Sequence, residues 1–212
     1  MFSYEVLTEG IMKGDADVVE CEINKALNGG TDAQDILEKG LIGGMSVVGK
    51  RFGAGELFLP EVLKCAQAMH KGLGIVKPLL SDSKKKVAGR IVIGTVEGDI
   101  HDLGKRIVCF LLEGNGFEVI DLGVDIKGEA FCEAIEKHKP DILGMSALLT
   151  TTMPNMRKTI NLLKERGLRE KVKIIVGGAP VTNQFATSIG ADGYAPEAGS
   201  AVEWVRKAIS KP

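Results

Sequence analysis

From residue 90 onward the chain alternates five times between a short apolar or β-branched run and a segment with helical spacing, and no other feature narrows its fold as much. The runs are "RIVIGTV", "FEVIDLG", "DILGMSA", "VKIIVGG" and the weaker "DGYA", with helices expected to start near Asp102, Gly128, Met153, Pro180 and Glu197. Such alternation predicts a parallel sheet with helices on both faces, because right-handed crossovers join parallel neighbours. The expected fold class is α/β, with a doubly wound, flavodoxin-like, five-stranded parallel-sheet domain of strand order 2-1-3-4-5. Ligands in such sheets bind beyond the carboxyl ends of the strands where the order reverses, between strands one and three.

Before residue 80 the period changes. Apolar positions recur at helical spacing, most clearly in "LPEVLKCAQAMHKGLGIV", where Leu59, Val62, Leu63, Ala66 and Met69 form a stripe and Pro60 falls near the first turn. Glycines at Gly29-Gly30, at Gly43-Gly44 and in "RFGAGELF" are expected to separate about four helices. "SDSKKKVAGR" then reads as a solvated linker. The expected organisation is an N-terminal four-helix bundle over residues 1–82 and the α/β domain over 90–212, with a linker at about 81–89 acting as a hinge.

Charge excludes some partners. Lys and Arg number 27 against 28 Asp and Glu, so no global field draws the chain to nucleic acid or to an anionic membrane. The N-terminus lacks a basic stretch followed by an apolar one, and no apolar run approaches the ~18 residues that would span a bilayer, so the expected location is cytoplasmic. Cys21, Cys65, Cys109 and Cys132 are far apart, form no C-x-x-C and fall in helical segments. They are expected to be buried apolar groups rather than a disulfide or zinc framework.

Three unusual loops converge on the predicted rim: "GTVEGDIHDLGKRIV" after strand one, "SALLTTT" after strand three and "GGAP" after strand four. The first lacks the G-x-G of a dinucleotide fingerprint. It also departs from a phosphate loop, since five residues separate Gly98 from Gly104 and Arg106 follows Lys105. A phosphate-accepting receiver would need an aspartate where Ser146 stands. What remains is Asp99-x-His101. A carboxylate two residues from an imidazole can hold one ring nitrogen while the other binds a metal. The same residues also suit ordinary loop hydrogen bonding, with Asp102 capping the next helix.

"GDIHDLG" matches the D-x-H-x-x-G motif of corrinoid-binding domains, and "SAL" and "GG" match that family's S-x-L and GG motifs at the corresponding strand ends. The whole chain resembles the small methyl-carrying corrinoid proteins of methanol and methylamine methyltransferase systems and the cobalamin-binding region of methionine synthase. The resemblance implies cobalamin or a related corrinoid as cofactor, with His101 as the cobalt ligand, Asp99 behind it and the hydroxyl of Thr152 on Asp99. It implies that the nucleotide tail runs between Ser146, Leu148, Gly177 and Gly178, with Thr150 lining its pocket. Gly98, Ile100, Asp102 and Gly104 would contact the corrin from the motif loop, Ala198 from the start of the last helix, and Met69 from the bundle, which the resemblance makes a cap. His70 and His138 do not enter this site. The implied function is to carry a methyl group on cobalt, in one-carbon metabolism, from a substrate-specific methyltransferase to an acceptor methyltransferase serving tetrahydrofolate or a thiol. A reductive activator of the corrinoid is a further implied partner, and the competing class is a cobalamin-dependent sensor.

Overall fold

The computed structural model describes residues 2–80 and 88–209. Their contacts define two compact units, Met1–Val87 with Glu113–Gly116, and Ala88–Leu112 with Phe117–Pro212. Most of the expected linker, residues 81–87, lies outside the described residues.

The first unit is helical. Helix α1 (Tyr4–Lys13) is capped by the Ser3 hydroxyl and stopped by left-handed Gly14. Helix α2 (Ala16–Asn28) starts on Asp15 and ends at Gly29-Gly30, as the glycine pair predicts. A short α3 (Ala33–Asp35), a π-helical stretch (Ile36–Ile42) and α4 (Gly43–Gly53) then follow without a break. Gly43-Gly44 thus lies inside helical structure instead of ending it. The cause is close packing: a Cβ on Gly44 would stand 2.8 Å from the Ile11 Cβ, so Gly44 lets α4 approach α1. Helix α5 (Leu59–Val76) carries Pro60 in its first turn, and the Glu61 carboxylate accepts the Phe58 N–H at 2.8 Å. Val62, Cys65, Ala66, Ala68 and Met69 are buried along it, and Leu63 is half-buried. The side chain of Leu59 lies outside the described residues.

The second unit has five parallel strands, β1 (Arg90–Thr95), β2 (Glu118–Asp121), β3 (Ile142–Ser146), β4 (Lys173–Gly177) and β5 (Gly193–Ala195). Their order is β2-β1-β3-β4-β5. Between and after them run α6 (Leu103–Gly114), α7 (Gly128–His138), α8 (Pro154–Glu165), α9 (Asn183–Ile189) and α10 (Ala198–Ile209). Val92, Leu143, Met145, Ile174 and Val176 point to one face and pack with Phe131, Ile135, Met156, Ile160 and Leu163 of α7 and α8. Phe131 fills the space above Gly94, where an added Cβ would lie 2.9 Å from its ring. Removing such a ring typically costs about 3–5 kcal/mol.

Two local expectations change. Helix α9 starts at Asn183, not near Pro180, because Val181 N–H closes a turn on the Gly178 carbonyl at 2.9 Å and the Thr182 hydroxyl caps the helix through Phe185 N–H. Cys65, Cys109 and Cys132 are buried, but Cys21 is exposed, since α2 buries Val19, Glu22, Ile23 and Ala26 on its other side. Among the described residues no helix is long and apolar enough to cross a membrane.

Candidate corrinoid site

Strands β1 and β3 pair from Ile91 with Ile142 to Thr95 with Ser146, so their loops leave the sheet side by side. Val96 N–H continues the pairing onto the Ser146 carbonyl at 3.0 Å. The chain then turns at Gly98, whose φ of 81° suits glycine, and Asp99 N–H returns to the Val96 carbonyl at 3.1 Å. This turn carries the Asp99 side chain into the space below the β3 loop, where none of its surface meets solvent.

Five donors surround that carboxylate. On Oδ1 they are the backbone N–H of His101 at 3.1 Å and its ring Nδ1 at 2.8 Å. On Oδ2 they are the Thr152 hydroxyl at 2.7 Å, Leu148 N–H at 2.8 Å and Leu149 N–H at 3.2 Å. Burial alone would push this carboxyl up, but the bonds from Thr152, from the His101 ring and amide and from Leu148 outweigh it, holding Asp99 well below the usual carboxylate range. An ionised Asp99 only accepts, so Nδ1 carries a hydrogen, and in the neutral imidazole the lone pair is on Nε2. Thr95 steadies the same residue by donating its hydroxyl to the His101 carbonyl at 3.1 Å. The methyl of Thr152 faces Gly98, where an added Cβ would lie 3.5 Å from it, so threonine keeps the hydroxyl bond without crowding.

The His101 side chain is 45% exposed, and no described residue takes its Nε2. Large apolar side chains stand open near it along both loops: Ile100 at 74%, Leu103 at 53%, Leu148 at 42% and Leu149 at 41% exposure. Apolar surface left in water beside a polar anchor is what a flat hydrophobic ligand would cover. Ser146 pairs with Gly177 in register, and Ala147 N–H bonds to the Gly177 carbonyl at 3.2 Å. A Cβ on Gly178, where φ is 127°, would lie 1.9 Å from the Ala147 carbonyl oxygen, so only glycine lets the β4 loop pass this close.

The structure brings Asp99, His101, Thr152 and Leu148 into direct contact, and sets Ser146, Gly177 and Gly178 on the neighbouring strand ends. Gly98, Ile100, Asp102 and Gly104 stay on the His101 loop and first turn of α6, and Thr150 is exposed on the β3 loop. Ala198 is buried at the start of α10, and Met69, 2% exposed, packs in the core of the helical unit. Sequence reasoning missed Leu149, whose amide donor no side chain advertises, and Leu103. It also missed the ion pair between Lys105 and Asp121, although a lysine just before the apolar run "IVCFLL" of α6 signals a charge that needs a partner.

No group of three or more His, Cys, Asp or Glu that could hold a metal ion occurs among the described residues. A bare cation takes three or four protein ligands. A single oriented imidazole fits instead a metal whose other positions a macrocycle already fills, and the apolar rim and glycine-lined strand ends fit the macrocycle and its tail. Fold and site together define a protein class: a doubly wound domain with one oriented imidazole beside open apolar surface at the carboxyl ends of its strands.

The B12-binding domain family matches residues 89–203, and a second B12-binding domain family matches residues 4–77. The trimethylamine corrinoid protein of Methanosarcina barkeri is 45% identical over 204 residues, covering 95% of this chain and 94% of its own. A corrinoid protein of Desulfitobacterium hafniense (strain Y51) is 44% identical over 208 residues, 97% and 96% of the two chains. Among solved structures, the methanol:cobalamin methyltransferase complex of Methanosarcina barkeri matches with TM-score 0.89 and 33% identity, covering 99% of this chain and 80% of that one. A cobalamin-binding protein of Desulfitobacterium hafniense DCB-2 matches with TM-score 0.81 and 30% identity, covering 98% and 99%. The chain belongs to the B12-binding family and, within it, to the corrinoid proteins of methylamine and methanol methyltransferase systems.

Proposed function

We propose that the protein carries a methyl group on a corrinoid cobalt between a substrate-specific methyltransferase and an acceptor methyltransferase. The observation that carries this is the His101 ring, held at Nδ1 by a buried, five-fold hydrogen-bonded Asp99 and presenting Nε2 at an apolar rim. When bound, the corrinoid supplies a cobalt centre that takes up and gives up a methyl group. His101 would hold that metal through Nε2. Asp99 fixes the tautomer and the plane of the ring, and Thr152, Leu148 and Leu149 fix Asp99. Ile100, Leu103, Leu148 and Leu149 would cover apolar ligand surface, while Ser146, Gly177 and Gly178 would leave room for the nucleotide tail and Thr150 would line its pocket. Gly98, Asp102 and Gly104 shape the loop that bears the histidine.

The Methanosarcina barkeri structure is described as a methyltransferase complex, which supports a methyltransferase as partner here. An acceptor enzyme that uses tetrahydrofolate or a thiol, and a reductive activator, follow from the resemblance. The helical unit's own match to a B12-binding family supports a part for it in corrinoid binding. A cobalamin-dependent sensor is not favoured, since relatives matched over 94% and 96% of their length carry corrinoid-protein names.

The deciding experiment is reconstitution of the purified chain with cobalamin under reducing and under oxidising conditions. One corrinoid per chain is expected. His101→Ala should keep most of the binding and lose the axial nitrogen splitting in the electron paramagnetic resonance spectrum of the cobalt(II) form. Absence of stoichiometric binding in both conditions refutes the carrier function, and an unchanged nitrogen signal in His101→Ala refutes the ligand.

A further inference from the structure

We propose that Asp125 is a positioning residue that sets the loop bearing Asp99 and His101, taking His101 as the axial ligand proposed above. The loop after β2 runs beside the loop after β1. Thr95 N–H bonds to the Gly123 carbonyl at 3.0 Å, Ile126 N–H bonds to the Thr95 carbonyl at 3.0 Å, and Val96 and Ile126 form an isolated parallel bridge. Between these contacts Asp125 adopts a φ of 56°. Lys139 is the other non-glycine residue with positive φ among the described residues, and it ends α7, where a left-handed residue is an ordinary helix stop. Asp125 ends no helix, so its backbone needs another cause.

Two hydrogen bonds provide it. Asp125 N–H donates to the Asp99 carbonyl at 3.0 Å, and Asp125 Oδ1 accepts Gly98 N–H at 2.6 Å. One residue thus grips the loop at two peptide groups, Glu97–Gly98 before Asp99 and Asp99–Ile100 after it, while the peptide between them is held by Asp99 N–H on the Val96 carbonyl. With those peptide groups held, the Asp99 Cα–Cβ bond is set within reach of the donors from Thr152, Leu148 and Leu149, which select its rotamer. Asp125 makes no bond to His101 and acts on the imidazole through Asp99. The left-handed turn lets one residue offer both an N–H and a carboxylate to the same loop.

Two variants separate the carboxylate from the backbone. Asp125→Gly keeps the left-handed conformation and removes the acceptor, whereas Asp125→Asn keeps both, because asparagine tolerates this region and retains Oδ1. Two readouts follow the imidazole. One is the axial nitrogen splitting of the cobalt(II) protein reconstituted with cobalamin. The other, in the apoprotein, is the nitrogen-15 shifts of the His101 ring, which report whether Nδ1 carries the hydrogen. Asp125→Asn is expected to match the unmodified protein in both. Asp125→Gly should bind one corrinoid per chain while its imidazole-ligation equilibrium falls about 3- to 10-fold, as loss of one hydrogen bond implies, and its apoprotein should mix tautomers. An Asp125→Gly protein unchanged in both readouts overturns the proposal, even if its melting temperature falls. If the unmodified protein shows no axial nitrogen, the ligand role of His101 fails, and the tautomer measurement alone then decides the role of Asp125.

Discussion

Gly178 passes so close to Ala147 that a side chain on it has no place to go: its Cβ would stand 1.9 Å from the Ala147 carbonyl oxygen. That oxygen belongs to backbone continuous with β3, so relief requires the β4 loop to move away from the rim. At Gly177 the nearest obstacle, the Ala195 carbonyl, would be 3.0 Å away, and φ is not left-handed. Gly178→Ala is expected to cost on the order of 3 kcal/mol and to abolish stoichiometric corrinoid binding, whereas Gly177→Ala should cost about 1 kcal/mol and weaken binding. Urea denaturation and cobalamin titration of the two variants give the comparison. Equal effects would show that the close pass does not shape the site.

Asp99 predicts an acid limb in the stability of the apoprotein. Its folded pKa lies below the unfolded value, so the folded state binds fewer protons. The stabilisation is complete above the ordinary carboxylate range and is lost as pH falls below about 4. Asp99→Asn should be less stable than the unmodified protein at neutral pH by about 2–3 kcal/mol, since an amide cannot accept five hydrogen bonds. The gap should narrow as pH falls below 4. Melting temperatures of both proteins across pH 2–7 test the sign, and a gap that widens in acid contradicts it.

The adjacent glycines of α4 should respond in opposite directions. Gly44 packs against Ile11, with 2.8 Å available to a Cβ, while Gly43 has only the Glu38 carbonyl at 3.8 Å. Gly44→Ala is expected to destabilise the helical unit by about 1–3 kcal/mol through overpacking. Gly43→Ala should stabilise it by about 0.5–1 kcal/mol, because alanine loses less entropy in a helix. Denaturation monitored by helical circular dichroism distinguishes the two.

That pair also shows where sequence runs out. The five strands are legible because buried parallel strands need unbroken apolar runs, whereas their order, expected as that of a flavodoxin-like sheet, does not follow from crossover handedness and is fixed by the strand pairing. The Asp99–His101 pair stands out because acids and a histidine interrupt an apolar run. Glycine, by contrast, signals both a turn and a close helix contact, so Gly29-Gly30 and Gly43-Gly44 look alike and behave differently. The amides of Leu148 and Leu149 carry no residue signature, since every non-proline residue has one. The conformation of Asp125 depends on the loop of Asp99, 26 residues earlier in the chain and beyond any local pattern.

Thr152 provides the last test, because its two substituents do different work. Its hydroxyl has one proton and two acceptors in reach, Asp99 Oδ2 at 2.7 Å and the Leu149 carbonyl at 2.9 Å. The carboxylate is charged, and the Leu149 carbonyl already accepts Thr152 N–H at 3.1 Å and Met153 N–H at 3.2 Å, so the proton goes to Asp99. Thr152→Val keeps the shape and removes that donor, leaving Oδ2 with two backbone amides. It should cost about 1.5–3 kcal/mol at pH 7, less below pH 4, and allow the His101 ring more freedom in the apoprotein. Thr152→Ser keeps the donor and loses only the methyl beside Gly98, so it should stay within about 1 kcal/mol of the unmodified protein. Equal destabilisation by valine and serine would mean that methyl packing, not the bond to Asp99, is what Thr152 contributes.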